Sequence, residues 1–170
     1  MNLFKILLLS ICVCLAESAW ADDGDGGNRE LQLKTAYLFH FAELAQWPNS
    51  APVTFCLQGN SRLRGYLPLL ESQQIDGKAV NVEFIDKADL NGCSILFLSD
   101  LGALTTAIAE QARLSHILLV SDVEHFAERG GMVQFTLRDN RLKLMVNLSA
   151  AKLADIKLSS KLLRMAEIIE

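Results

Sequence analysis

The feature that most constrains the fold is the alternation of strand-like runs with helical ones in the middle of the chain. Segments with helical periodicity, 62–72 and 101–113, separate strand-like runs at 53–57, 79–85, 94–98 and 116–120. Such alternation is typical of parallel β-α-β units with helices on both faces of a sheet. The third and fourth runs, SILFL and HILLV, are apolar after their first residue, which suits strands that are buried on both sides.

The pattern changes in the last third of the chain. GGMVQFTL (130–137) and RLKLMVNL (141–148) alternate apolar and polar residues and are joined by a turn at Arg138-Asp139-Asn140, which predicts an antiparallel hairpin. The last residues of the chain, LSSKLLRMAEIIE (158–170), predict an apolar helix with Ser159 or Ser160 as its N-cap. We therefore expect a single three-layer α/β domain with a mixed sheet, in which parallel β-α-β units are followed by a C-terminal antiparallel hairpin and a terminal helix.

The beginning of the chain predicts export. Lys5 precedes an apolar run from Ile6 to Ala16, and Ala19-Trp20-Ala21 forms a small-x-small cleavage site, so 1–21 is interpreted as a secretory signal that is removed. The run has about eleven apolar residues, whereas a bilayer span needs roughly twenty. The mature chain is therefore expected to be secreted and soluble.

Residues 22–28, DDGDGGN, are acidic and glycine-rich and predict a disordered leader, so the single domain is expected to cover 29–170. From Glu30 to Gln46 the apolar residues recur mostly at three- and four-residue steps, until Pro48 ends the pattern. This spacing predicts a helix with one broad apolar face.

Four cysteines become two when the predicted signal is removed, because Cys12 and Cys14 lie within it. The remaining pair, Cys56 and Cys93, would enter an oxidising compartment, where disulfides persist. Cys56 lies in the first predicted strand and Cys93 just before the third, and these strands are neighbours in a flavodoxin-like order 2-1-3-4. The placement permits a disulfide, and two buried free thiols are the alternative.

Two similar motifs, FLSD (97–100) and LVSD (119–122), end the third and fourth predicted strands. Ligand sites of α/β proteins lie at such carboxyl ends, which makes a candidate ligand edge of Ser99, Asp100, Ser121 and Asp122. The same side chains can instead cap the backbone N–H groups that follow them, and this interpretation is favoured.

The sequence offers little support for catalysis or for a metal site. A Ser-His-Asp site with His116 or His125 is conceivable, but neither serine lies in a G-x-S-x-G elbow. The three histidines are scattered and the cysteines lack C-x-x-C spacing, so no metal ligands, catalytic residues or cofactor are assigned. With 16 basic and 20 acidic residues, the net charge of −4 argues against a nucleic-acid partner.

Three motifs taken together carry a resemblance to a known family. They are K-x-A-Y-L-x-x-F…W-P (34–48), S-D…F…G-G-M (121–132) and N-R-L…N-L…A…I-x-L-S-S-x-L-L-x-x-A (140–166). In order and spacing the chain resembles the YfiR-like family from about Leu31 to Ile169, which is nearly the whole mature chain.

The resemblance implies a periplasmic protein without enzymatic activity. Such a protein binds the periplasmic part of an inner-membrane diguanylate cyclase and represses it, which lowers cyclic di-GMP and biofilm formation, and an outer-membrane lipoprotein titrates the repressor. Cys56 and Cys93 match the family position of a structural disulfide. Some relatives have a second pair in the GGM half, whereas this chain has no cysteine after Cys93. A small-molecule or redox sensor with a ligand at the strand ends is the alternative, and a hydrolase-type enzyme is the least favoured one.

The predicted terminal helix also suggests a contact surface. Between Ser160 and Ile169 the apolar residues cover more than one helical stripe, although packing on a sheet needs only one. The surplus is expected to be exposed and to form a surface for a partner or for a homodimer. Its candidate residues are Leu162, Leu163, Met165, Ile168 and Ile169.

Overall fold

The computed structural model describes residues 23–49, 51–86 and 89–170, so the predicted signal and Asp22 lie outside the described residues. The α-helices are α1 (Asp23–Leu44), α2 (Thr106–Leu114), α3 (Leu148–Leu153) and α4 (Ser160–Leu163). Three 3-10 helices cover Arg62–Gly65, Leu67–Ser72 and Leu101–Ala103. The strands are β1 (Ala45–Gln46), β2 (Thr54–Gln58), β3 (Gln74–Ile75), β4 (Lys78–Ala79), β5 (Asn81–Ile85), β6 (Ile95–Leu98), β7 (Leu118–Ser121), β8 (Val133–Arg138), β9 (Arg141–Asn147), β10 (Lys157–Leu158) and β11 (Ala166–Ile169).

A seven-stranded mixed sheet organises the domain, with the order β11-β9-β8-β7-β6-β2-β5. Strands β5, β2, β6, β7 and β8 are parallel, and β9 runs antiparallel to β8. The predicted α/β class, the order of the first four long strands and the C-terminal hairpin are therefore confirmed. Every residue of β6 and β7 is buried, as expected for apolar strands at the centre of a parallel sheet.

Helix α1 packs its apolar face on the sheet through an aromatic cluster. The rings of Phe41 and Phe135 are stacked with their centroids 5.8 Å apart, and the Tyr37 ring lies 6.1 Å from that of Phe135. Leu38 and Phe41 are fully buried, which confirms that they belong to the core. Because Phe135 points towards α1, alternate residues of β8 lie on the α1 side of the sheet.

The hairpin turn is shorter than the predicted three residues, because Arg138 is already paired with Arg141. Asp139 and Asn140 form the turn with φ values of 50° and 55°. Two consecutive residues with left-handed backbone conformation are typical of the two-residue type I′ turn, whose twist matches that of the flanking strands. Asn and Asp tolerate this conformation well.

The expectation of a disordered leader over 22–28 is wrong for the described residues of that segment, because α1 begins at Asp23. The helix is already nucleated by the packed segment after Glu30, and extending an existing helix is much easier than starting one. Contacts to the rest of the fold help, since the Asn28 side-chain oxygen accepts hydrogen bonds from Arg62 at 3.2 Å and from Tyr66 at 3.1 Å.

The predicted terminal helix is also wrong beyond its first turn. Ser159 is the N-cap, as expected, and accepts a hydrogen bond from the Leu162 backbone N–H at 3.3 Å. Helix α4 ends at Leu163, however, and Ala166–Ile169 form β11, which pairs in parallel with β9. The free edge of β9 offers backbone partners to this segment, whose Ile168 and Ile169 are β-branched and suit a strand. Among the described helices, none combines the length and apolarity that a bilayer span requires.

Candidate functional site

The candidate ligand edge is present in space, because β6 and β7 are neighbours and Leu98 pairs with Ser121. Fully buried Ser121 donates a hydrogen bond to the Leu98 carbonyl at 2.6 Å and accepts one from the Val123 N–H at 3.1 Å. Ser99 donates to the Gln58 carbonyl at 3.2 Å. Both hydroxyls are therefore engaged with the main chain.

Asp100 confirms the capping interpretation, since its carboxylate accepts a hydrogen bond from the Gly102 N–H at 2.8 Å and caps the third 3-10 helix. The fourth residue of the edge, Asp122, contacts helix α1 instead. As a ligand site, the edge formed by Ser99, Asp100, Ser121 and Asp122 remains a prediction.

Lys34 is the partner of Asp122, and sequence reasoning did not single it out. Its ammonium nitrogen lies 2.6 Å from an Asp122 oxygen and 2.6 Å from a Glu30 oxygen. The Lys34 side chain is only 7% exposed, whereas the Asp122 and Glu30 side chains are 30% and 34% exposed. A buried ammonium therefore connects the middle of α1 to the carboxyl end of β7, and we call these three residues the lysine cluster.

The environment keeps Lys34 charged. Burial alone would lower its pKa, but hydrogen bonds and charge from Asp122 and Glu30 outweigh that effect and raise the pKa above its ordinary value of 10.5. A buried charge is tolerated only when it is paired in this way. The cluster thus behaves as a fixed ion pair between α1 and the sheet.

The sequence contained an indication that Lys34 lies on the buried face of α1. The buried residues of α1 include Leu31, Lys34, Thr35 and Leu38, at spacings of three and four residues. A lysine inside such an apolar stripe must find a negative partner, which the sequence cannot name because Asp122 is 88 residues away. The K-x-A-Y-L and S-D segments that carry the family resemblance thus meet physically at this pair.

Cys56 and Cys93 form a disulfide, with their Cα atoms 5.7 Å apart. Both residues are buried, and the bond ties β2 to the segment that enters β6. Cys93 precedes the amino end of β6, so the disulfide lies away from the carboxyl edge. The alternative of two free thiols is thereby excluded in this structure, while a redox-sensing role remains a prediction.

The predicted contact surface is only partly exposed. Leu162 is fully buried and belongs to the core, because α4 turns its first apolar residue inwards. Leu163 and Ile169 are half-buried, whereas Met165 and Ile168 are 43% and 39% exposed. The five residues therefore do not form one exposed helical surface, because Ile168 and Ile169 lie in β11, and only Met165 and Ile168 are well placed to contact another molecule.

The histidines do not assemble a catalytic site with the serines of the edge. His125 contacts Glu128 at 2.7 Å and His40 contacts Glu43 at 2.8 Å. His116 contacts the Ala154 carbonyl at 2.8 Å. Within the described ranges, no group of three or more His, Cys, Asp or Glu side chains is placed to hold a metal ion.

Comparison with known proteins adds one positive finding. The model of the YfiR/HmsC-like family matches residues 31–167, which begin inside α1 and end inside β11. No curated protein matches the chain.

Proposed function

Because the chain belongs to the YfiR/HmsC-like family, we propose that it is a periplasmic regulator that binds and represses an inner-membrane diguanylate cyclase. The family match over 31–167 is the observation that carries the proposal, since the family suggests regulation of cyclic di-GMP signalling. Repression would lower cyclic di-GMP and biofilm formation. An outer-membrane lipoprotein would relieve it by competing for the regulator.

The described site supports a binding function rather than catalysis. Ser99, Ser121 and Asp100 form hydrogen bonds with the main chain, and Asp122 is paired with Lys34. These side chains stabilise the edge instead of presenting a nucleophile and a base within hydrogen-bond reach of each other. The buried disulfide fits the oxidising periplasm that the predicted signal implies.

We propose that the cyclase contacts β11, the strand at one edge of the sheet, through the exposed apolar side chains of Ile168 in the strand and of Met165 just before it. An edge strand offers unpaired backbone groups that another chain can use, and exposed apolar side chains beside it supply contact area. This surface keeps only two of the five residues that the sequence predicted for a contact. The other three, Leu162, Leu163 and Ile169, are buried or half-buried.

The direct test measures binding of the mature chain to the purified periplasmic domain of a membrane diguanylate cyclase from the same genome. Met165→Asp together with Ile168→Asp should weaken this binding at least tenfold, because both apolar contacts would be replaced by charges. Leu114→Asp is the matched control, since Leu114 is also exposed but lies at the end of α2. Equal binding by the double variant and the parent, with both folded, would remove β11 from the proposal.

The cellular test is deletion of the gene. Cyclic di-GMP and biofilm formation should rise, and a second deletion of the partner cyclase should abolish the rise. Unchanged cyclic di-GMP, under conditions in which the parent strain makes the protein, would refute repression itself. The two experiments separate the choice of contact surface from the proposed function.

A further inference from the structure

We propose that a cleft between α1 and the β8–β9 hairpin binds a small organic anion, a carboxylate or a phosphate ester with an apolar body. The cleft has a volume of about 690 Å³, within the range of sites for small molecules. Residues of α1 form one part of its lining and the end of the hairpin forms the other. This inference goes beyond the proposed function and does not depend on it.

Two arginines without an internal partner among the described residues line this cleft. Arg29 of α1 and Arg141, the first residue of β9, both line it, and within the described residues neither guanidinium makes a hydrogen bond or an ion pair. By contrast, Arg113 is bound by Glu110 and Arg138 by Glu167. Two free guanidinium groups on separate elements suit a carboxylate or phosphate, which they can bind with charge-assisted hydrogen bonds.

The acidic residue of the cleft does not cancel this charge. Glu30 also lines the cleft, but its carboxylate lies 2.6 Å from the buried ammonium of Lys34. Lys34 is shared with Asp122, so it offsets part of the charge of Glu30 from inside the fold. The lining of the cleft thus has two arginines against one carboxylate that is already paired, on a chain whose net charge is −4, and this excess of positive charge favours an anion there.

Apolar side chains lie beside the arginines. Leu33 and Leu137 line the cleft and are among the exposed large apolar residues, with Leu137 56% exposed. The half-buried ring of Tyr37 lies between the cleft and the aromatic core. An aliphatic or aromatic body on the ligand would cover these side chains and remove apolar surface from water.

The position of the cleft agrees with the general placement of ligands in α/β folds. Strand β8 runs parallel to β7, so the hairpin turn after Arg138 lies at the same end of the sheet as the carboxyl end of β7. Ligands of open α/β sheets bind outside these carboxyl ends. The anion site is thus one strand beyond the edge that ends in Ser121 and Asp122, where the side chains already have partners.

The experiment is calorimetric titration of the mature protein at low ionic strength with phenylacetate, phenyl phosphate, inorganic phosphate and neutral benzyl alcohol. We expect at least one of the two aromatic anions to bind, and to bind more tightly than inorganic phosphate and benzyl alcohol. Arg29→Ala and Arg141→Ala should each weaken that binding about tenfold or more, since each removes charge-assisted hydrogen bonds. The preference between the two aromatic anions identifies the carboxylate or phosphate class.

Arg129→Ala is the matched control, because Arg129 is exposed and makes no side-chain ion pair in the described part of the chain but does not line the cleft. It should bind as the parent does. The proposal is overturned if neither aromatic anion binds up to about 10 mM, if benzyl alcohol binds as tightly, or if the folded Arg29→Ala, Arg141→Ala double variant retains parental affinity. Equal affinity for phenyl phosphate and inorganic phosphate would overturn the apolar part of the site.

Discussion

Replacing Lys34 by Met is the most informative perturbation of this fold, because it removes the buried charge while keeping an unbranched side chain of similar length. The Lys34 ammonium contacts Asp122 and Glu30 at 2.6 Å each. In the variant, both carboxylates would lose their positive partner and would lie close to an apolar thioether. We therefore expect the variant to fold with reduced stability.

The magnitude follows from the exposure of the three side chains. A hydrogen bond to a charged group contributes about 1.5–3 kcal/mol, and breaking a fully buried ion pair costs about 3–5 kcal/mol. Here only Lys34 is buried, while Asp122 and Glu30 are about a third exposed and can regain water in the variant. The desolvation of the ammonium also disappears. The expected loss in free energy of unfolding is therefore about 2 kcal/mol, below the value for a fully buried pair.

The pH dependence supplies a second, independent readout. Because the pKa of Lys34 is raised in the folded state, its contribution to stability is fully present below the ordinary value of 10.5 and is lost as the pH rises through the folded-state value. The difference in stability between the parent and Lys34→Met should stay constant from about pH 7 to 10 and shrink at higher pH.

Urea unfolding followed by circular dichroism measures both effects, as a shift in the midpoint at an unchanged slope. Asp122→Asn and the double variant Lys34→Met, Asp122→Asn complete a cycle, which should show a coupling of about 1–2 kcal/mol. A single Lys34→Met variant as stable as the parent at pH 7, or a stability difference that does not respond to alkaline pH, would refute the view that the lysine cluster stabilises the fold through charge.

Two further perturbations test the core. Cys56→Ser should lower the free energy of unfolding by roughly 2–5 kcal/mol, because the disulfide closes a loop between residues 37 positions apart. The parent protein should show no reactive thiol when it is denatured without reductant. Two titratable thiols in protein isolated from the periplasm would contradict the disulfide. Gly131→Ala should destabilise the protein by about 1–3 kcal/mol, because the added Cβ would overlap the fully buried ring of Phe126. Parental thermal unfolding of that variant would show that the ring can move aside.

Much of the fold could be predicted because it is encoded by local pattern. The apolar runs that became β6 and β7 have no polar face, and only the centre of a sheet can bury such strands on both sides. The hairpin has a local turn at Asp139 and Asn140 that admits left-handed backbone. The proximity of Cys56 and Cys93 followed from the strand order, since β2 and β6 are neighbours.

The ends of the chain could not be predicted, since their structure depends on distant partners. In Ala166–Ile169, the apolar residues at 166, 168 and 169 form too short a pattern to distinguish a helix from a strand, and pairing with the free edge of β9 selected the strand. At the beginning, Asn28 is held by Arg62 and Tyr66, more than 30 residues away, where composition alone indicated disorder.

The sequence by itself determined most of the apolar strands and the apolar face of α1, because hydrophobic periodicity is a property of neighbouring residues. Only the tertiary structure decided how polar residues are paired across the fold. The partner of Lys34 is Asp122, and the free guanidinium groups of Arg29 and Arg141 line the same cleft. Charged residues interact according to their distance in space, whereas Lys34 and Asp122 are 88 positions apart along the chain and Arg29 and Arg141 are 112 positions apart.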